Sequence, residues 1–210
     1  MDILGVPISI WHGLVVEEHT GIIIFIILAL VVRVLTDLSS SRIKMVSDRV
    51  AFIHDASDKI AFLGSLAAVF FLIISGVTGY LIQPLAVIEA QPDLMNKSLL
   101  ALGALFFWTA FFFMRYWFGP GLWERKGLYV AQVVTALIGL VFTALTASIG
   151  AEITLGQSAM EPVYNALNFS WATFTIQALE IEITGVLVLV GILLVLVLKR
   201  GAGKKSPDTK

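Results

Sequence analysis

Ile22-Ile23-Ile24-Phe25-Ile26-Ile27-Leu28-Ala29-Leu30-Val31-Val32 is an apolar run with no charge and no polar stripe, and its reading decides the fold. A helix on the surface of a water-soluble core keeps a polar face at 3.6-residue spacing; this run has none. It follows directly on Trp11-His12-Gly13-Leu14-Val15-Val16-Glu17-Glu18-His19-Thr20-Gly21, which carries two histidines and two adjacent glutamates at the mouth of the run. Charge is costly inside a bilayer and tolerable at its surface. A span from about Glu18 to Asp37, at about 1.5 Å per residue, crosses a hydrocarbon layer of roughly 30 Å. Arg33 lies near its far end, where the guanidinium can extend toward the headgroups while its stem stays in the apolar layer.

The rest of the chain agrees with this reading. Of 210 residues, 58% are hydrophobic and 14% charged, more apolar surface than a water-soluble domain of this size can bury. The net charge of -1 hides a segregation by segment, and no basic tract of the kind that follows phosphates is present, so no nucleic-acid partner is expected. The absence of cysteine excludes disulfides, thiolate catalysis, cysteine-held iron–sulfur clusters and CxxCH-attached haem. Any cofactor must be held by His, Met, Tyr or carboxylates. No P-loop, dinucleotide fingerprint, HExxH or GxSxG occurs, which argues against soluble-type hydrolase or dehydrogenase chemistry. No basic n-region precedes the first apolar run, so no cleaved signal peptide is expected.

Further spans are expected over residues 49–82, with 60–81 wholly in lipid, then 98–117, 128–149 and 179–198. The fold class expected is therefore all-α: a polytopic transmembrane bundle of five spans over residues 1–200, followed by a polar basic tail, 201–210. A four-span alternative leaves one run re-entrant or peripheral. The loop from Leu85 to Asn96 contains acidic Glu89 and Asp93, and Asp55 with Lys59 is spaced for an i,i+4 ion pair. Small residues such as Gly64, Ser65, Ala68, Gly76, Gly79, Gly139 and Thr143 supply positions for close helix approach. Arg115 to Lys126, rich in aromatics and positive charge, reads as a headgroup-level belt and tight connection. Of the 14 Lys and Arg residues, all except Lys97 fall on one side. This places the N-terminus outside and the C-terminus in the cytoplasm of a multi-pass cell-membrane protein.

That topology collects His12, Glu17, Glu18, His19, Glu152, Glu161, Glu180 and Glu182 on the outer face. Imidazoles and carboxylates ligate transition metals, and i,i+7 spacing gives His12 and His19 a similar helical face. The candidate metal set is His12, His19, Glu18, Glu152 and Glu180; His12 and His19 are also the candidate axial ligands of haem b. An acidic rim with His19 bonded to a carboxylate or carbonyl is the plainer alternative. His54 falls on the opposite side and cannot share a haem with either. No catalytic residue is assigned.

His12-Gly13-Leu14-Val15-Val16-Glu17-Glu18-His19, together with Gly150-Ala151-Glu152 and Gly156-Gln157-Ser158-Ala159-Met160, resembles DUF2231, an uncharacterised integral membrane family. That family opens with HPxxVxxP before its first helix and closes its fourth with a Gly-Gly-Glu-like turn. Here Gly13 and His19 stand where prolines are expected. The resemblance spans roughly residues 12–160, leaves the fifth helix as an addition, implies a four-helix module with a suspected redox association, and transfers no catalytic residue.

Small-residue helix faces, abundant Phe and Trp and little catalytic equipment point to an accessory integral membrane subunit of a larger assembly, of redox or respiratory type. The partners expected are membrane lipids and either other integral subunits or further copies of the chain. Two alternatives are a haem b or metal-binding electron-transfer protein and a proton or ion transporter using Glu180 and Glu182.

Overall fold

The computed structural model describes residues 2–3, 5–40, 47–158, 160–168 and 170. Two short antiparallel strands, β1 (Asp2–Ile3) and β2 (Val6–Pro7), turn at Gly5 and lead into α1 (Ile8–Ser40). Then follow α2 (Ser47–Ile82), α3 (Leu85–Ala90), α4 (Pro92–Phe118), a 3-10 turn over Pro120–Glu124, α5 (Lys126–Leu155) and α6 (Glu161–Ala166). Four of these helices, α1, α2, α4 and α5, are long and apolar enough to cross a membrane. The expected fifth span, residues 179–198, and the tail 201–210 lie outside the described residues.

The helices run further than expected, for local reasons. Helix α1 begins at Ile8 because residues 8–16 carry no charge, so His12 sits in its second turn. At about 1.5 Å per residue its 33 residues measure about 50 Å, longer than the hydrocarbon layer, which leaves polar turns beyond the lipid. The stretch expected as a loop, 85–96, holds α3 and the start of α4, with Pro92 in the first turn where its missing N–H costs nothing. Helix α5 passes residue 149 and stops at Gly156, whose φ of 69° supplies the left-handed cap and lets its N–H bond to the Glu152 carbonyl.

Two antiparallel hairpins, α1 with α2 and α4 with α5, are joined chiefly through α2 and α4. On α1 the buried positions His19, Ile23, Ile26, Leu30 and Arg33 recur at spacings of three and four; Ala61, Ser65, Ala68 and Leu72 do the same on α2. Small residues set the approach. A methyl at Gly64 would lie 2.8 Å from Ile26, at Gly103 2.4 Å from the Phe142 ring, and at Gly139 3.2 Å from Trp108. Between α4 and α5, buried Trp108 donates Nε1–H to Thr143 at 3.1 Å, and Gln132 donates to the Phe111 carbonyl at 3.0 Å. The outer surface carries exposed Phe25, Leu28, Leu35, Leu63, Phe70, Val77, Leu102 and Leu137. Polar groups are thus enclosed and apolar ones turned outward, as a lipid solvent requires.

Candidate functional site

Four helix ends meet at the His12 end of the bundle. The His12 ring packs against Gly79 of α2, where a methyl would sit 3.4 Å from Cε1. Its Nδ1 lies 2.9 Å from Thr78 Oγ1. That hydroxyl already donates toward the Ile74 carbonyl at 2.9 Å, with the Ser75 carbonyl at 3.1 Å. A hydroxyl has one proton, so toward the imidazole it accepts, and His12 donates from Nδ1. His19 donates Nδ1–H to the Val15 carbonyl at 2.9 Å. Both neutral rings are therefore the Nδ1–H tautomer, inferred from their partners, with the lone pair on Nε2.

The expected metal set is only partly brought together. His12 and His19 share a face of α1, with Cα atoms about 10.5 Å apart by helical rise. Glu17 and Glu18 are exposed, and Glu152 is half-buried on α5. Among the described residues no group of three or more His, Asp or Glu is placed to hold a metal ion; Glu180 lies outside them. Lys97, in the second turn of α4, stands at the same end of the bundle. Lys97 is half-buried, and a methyl at Gly150 would lie 3.2 Å from its Nζ. Nearby, Ser148 bonds to Ser158 and, at 2.7 Å, to Tyr164, which ties α6 over the end of α5.

The opposite end holds a network that the sequence reading did not assemble. Asp58 accepts from Arg115 Nε at 2.7 Å and Nη2 at 2.5 Å, and from Trp123 Nε1 at 2.5 Å. Arg33 is 8% exposed; it donates to the His54 carbonyl at 3.0 Å, and its guanidinium lies 4.4 Å from the centre of the Trp123 ring. His54 Nε2 is 2.9 Å from Asp37 Oδ1, within ion-pair reach but not aligned as a hydrogen bond. Arg33 therefore turns inward, contrary to the expectation that it reaches for headgroups. The reason is position: it continues the Ile23, Ile26, Leu30 seam, where a cation can rest on an indole face. Arg115 and Trp123, expected as an interfacial belt, are likewise structural ligands of one carboxylate. The available signal was that Arg33, Asp58 and Arg115 all fall near span ends on the same side, where an acid and two cations can pair. The Asp55–Lys59 pair forms as expected, at 2.7 Å and exposed.

An enclosed ion network at one end, two tautomer-fixed histidines at the other and an apolar exterior define the class: a multi-pass membrane protein built on a helical bundle. No known protein family, curated protein or solved structure matches the chain.

Proposed function

We propose that the protein is an accessory integral membrane subunit that packs its open helix faces against the membrane helices of a larger assembly of redox or respiratory type. The observation that carries this reading is a face of α2 left open among the described residues. Leu63, Leu66, Phe70, Ile73, Val77 and Tyr80 are all exposed, and their alternating spacings of three and four are those of a helix-packing seam. Gly76 lies beside this row, and a methyl there would meet nothing within 4 Å. The buried polar groups support the same reading, because Asp58, Arg115, Trp123, Trp108 and Thr143 are engaged in holding helices together. The proposal includes the orientation drawn from the Lys and Arg bias, with the Arg33 end in the cytoplasm. It also includes kinship with DUF2231, drawn from the resemblance over residues 12–160. Gentle solubilisation from native membranes is expected to yield a stoichiometric assembly with other integral subunits. A stable monomer with no associated subunit contradicts the proposal.

A second reading, electron transfer through haem b or a metal, draws on the tautomers of His12 and His19, since an Nδ1-anchored imidazole presents Nε2 as a ligand. An optical spectrum and elemental analysis of the purified chain separate the two readings. Haem bands or stoichiometric metal lost in His12→Ala or His19→Ala would favour the second.

A further inference from the structure

Between α1 and α2 a groove of about 430 Å³ opens on the apolar outer surface. Ile22, Phe25 and Ile26 of α1 and Leu63, Gly64 and Ala67 of α2 line it. Its charged lining residue is Lys59, whose four-carbon stem joins the apolar wall while the side chain stays 68% exposed. Lys59 immediately precedes residues 60–82, the uncharged stretch of α2, and so stands at the rim of the hydrocarbon layer. From Lys59 to Ala67 the groove runs about 12 Å by helical rise. Asp55 is one turn back toward the helix start, about 6 Å further from the lipid. It accepts a hydrogen bond from Lys59 at 2.7 Å and is itself 61% exposed. Passing out of the groove, the order is therefore apolar wall, cation, anion.

We propose that this groove seats an acyl chain of a phospholipid with an ethanolamine headgroup, the phosphate resting on Lys59 and the ammonium on Asp55. Such a lipid presents a matching order outward from its chains: hydrocarbon, then a phosphate, then an ammonium two carbons further on. Laid along the groove it sets anion against cation and cation against anion. The Asp55–Lys59 pair keeps its bond, and each member gains a second partner of opposite charge. Both have the capacity, since an ammonium carries three N–H donors and a carboxylate accepts on two oxygens. A glycerol headgroup brings the phosphate without a cation, which sets its negative charge beside Asp55 unbalanced. A choline headgroup brings a cation with no N–H to donate. The charge order at the rim, rather than the apolar wall, selects the occupant. This site is independent of the accessory-subunit reading: the α2 row used there shares Leu63 alone with the groove, and the test needs no partner protein.

The test uses the full chain in nanodiscs of phosphatidylcholine alone, or with phosphatidylethanolamine or phosphatidylglycerol added. Native mass spectrometry reads retained lipid and the number of chains, and heating reads the unfolding midpoint. Phosphatidylethanolamine is expected to be retained about tenfold over phosphatidylcholine, as one charge-assisted hydrogen bond allows, and to raise the midpoint. Asp55→Asn should lose that preference and gain one for phosphatidylglycerol, because Lys59 then stands without its acid. Exchanging the pair, Asp55→Lys with Lys59→Asp, keeps the net charge but reverses its order, and should abolish the preference too. Both positions are exposed, so these variants should unfold with the native chain in phosphatidylcholine. Ala67→Phe, which blocks the groove and leaves the pair in place, should bring retention down to the phosphatidylcholine level. Equal retention of the ethanolamine and choline lipids by the native chain, or a preference that survives the exchange, overturns the proposal. Phosphatidylglycerol retained as well as phosphatidylethanolamine overturns the ammonium contact. An unchanged preference in Ala67→Phe overturns the groove as the seat of the acyl chain, and a dimer carrying no ethanolamine lipid gives the groove to a second copy instead.

Discussion

Asp58 accepts three hydrogen bonds, two from Arg115 and one from Trp123, while 6% exposed. Removing the carboxylate leaves a buried guanidinium without its partner, a loss on the order of 3–5 kcal/mol for a broken buried pair. Asp58→Ala is therefore expected to lower the unfolding midpoint sharply in detergent, and Asp58→Leu with Arg115→Met to recover most of the loss. A double variant as unstable as the single one would show that the pair does not act as a unit. The exposed Asp55–Lys59 pair is the internal control: Lys59→Ala should cost less than about 1 kcal/mol in the same thermal measurement. The difference explains what could be read from sequence at this scale. An i,i+4 pair is local and follows from helical spacing, whereas the Asp58 network joins residues 57 and 65 positions apart and depends on how the hairpins pack. His12 and His19 were visible as a pair on one face of a helix, but the contacts of His12 with Thr78 and Gly79 were not, because only the docking of α2 brings those residues there.

At the scale of the helix, glycine does two different things on α2. At Gly64 it admits Ile26 of α1, whereas at Gly76 it faces open space. Gly64→Leu is expected to destabilise the isolated chain by about 1–3 kcal/mol through overpacking, and Gly76→Leu to leave its midpoint unchanged. Unfolding measured on the two purified variants checks the contrast, and equal losses would contradict the packing described. Sequence alone marked both as small positions of one kind. Which faces inward depends on the direction from which α1 approaches. The existence of the four spans found among the described residues was legible because an uncharged run of this length has few other stable solutions. Their ends were less so, since apolar residues such as Ile8–Val16 prolong a helix without announcing where lipid stops.

For the whole molecule, the 14 basic residues with Lys97 apart predict a single orientation. The chain has no cysteine, so single reporters can be introduced cleanly. Glu89→Cys should react with an impermeant maleimide on intact cells, and Arg125→Cys only after the membrane is opened; the reverse pattern would invert the proposed topology. The central claim is that the face of α2 left open among the described residues is a packing surface for other membrane helices. Phe70, in the middle of that face and 58% exposed, tests it most directly when replaced by a photo-cross-linking residue in native membranes. The account predicts one discrete adduct with an integral membrane protein of defined mass, weakened by Gly76→Leu. Labelling of lipid alone, with the chain remaining monomeric, would contradict it.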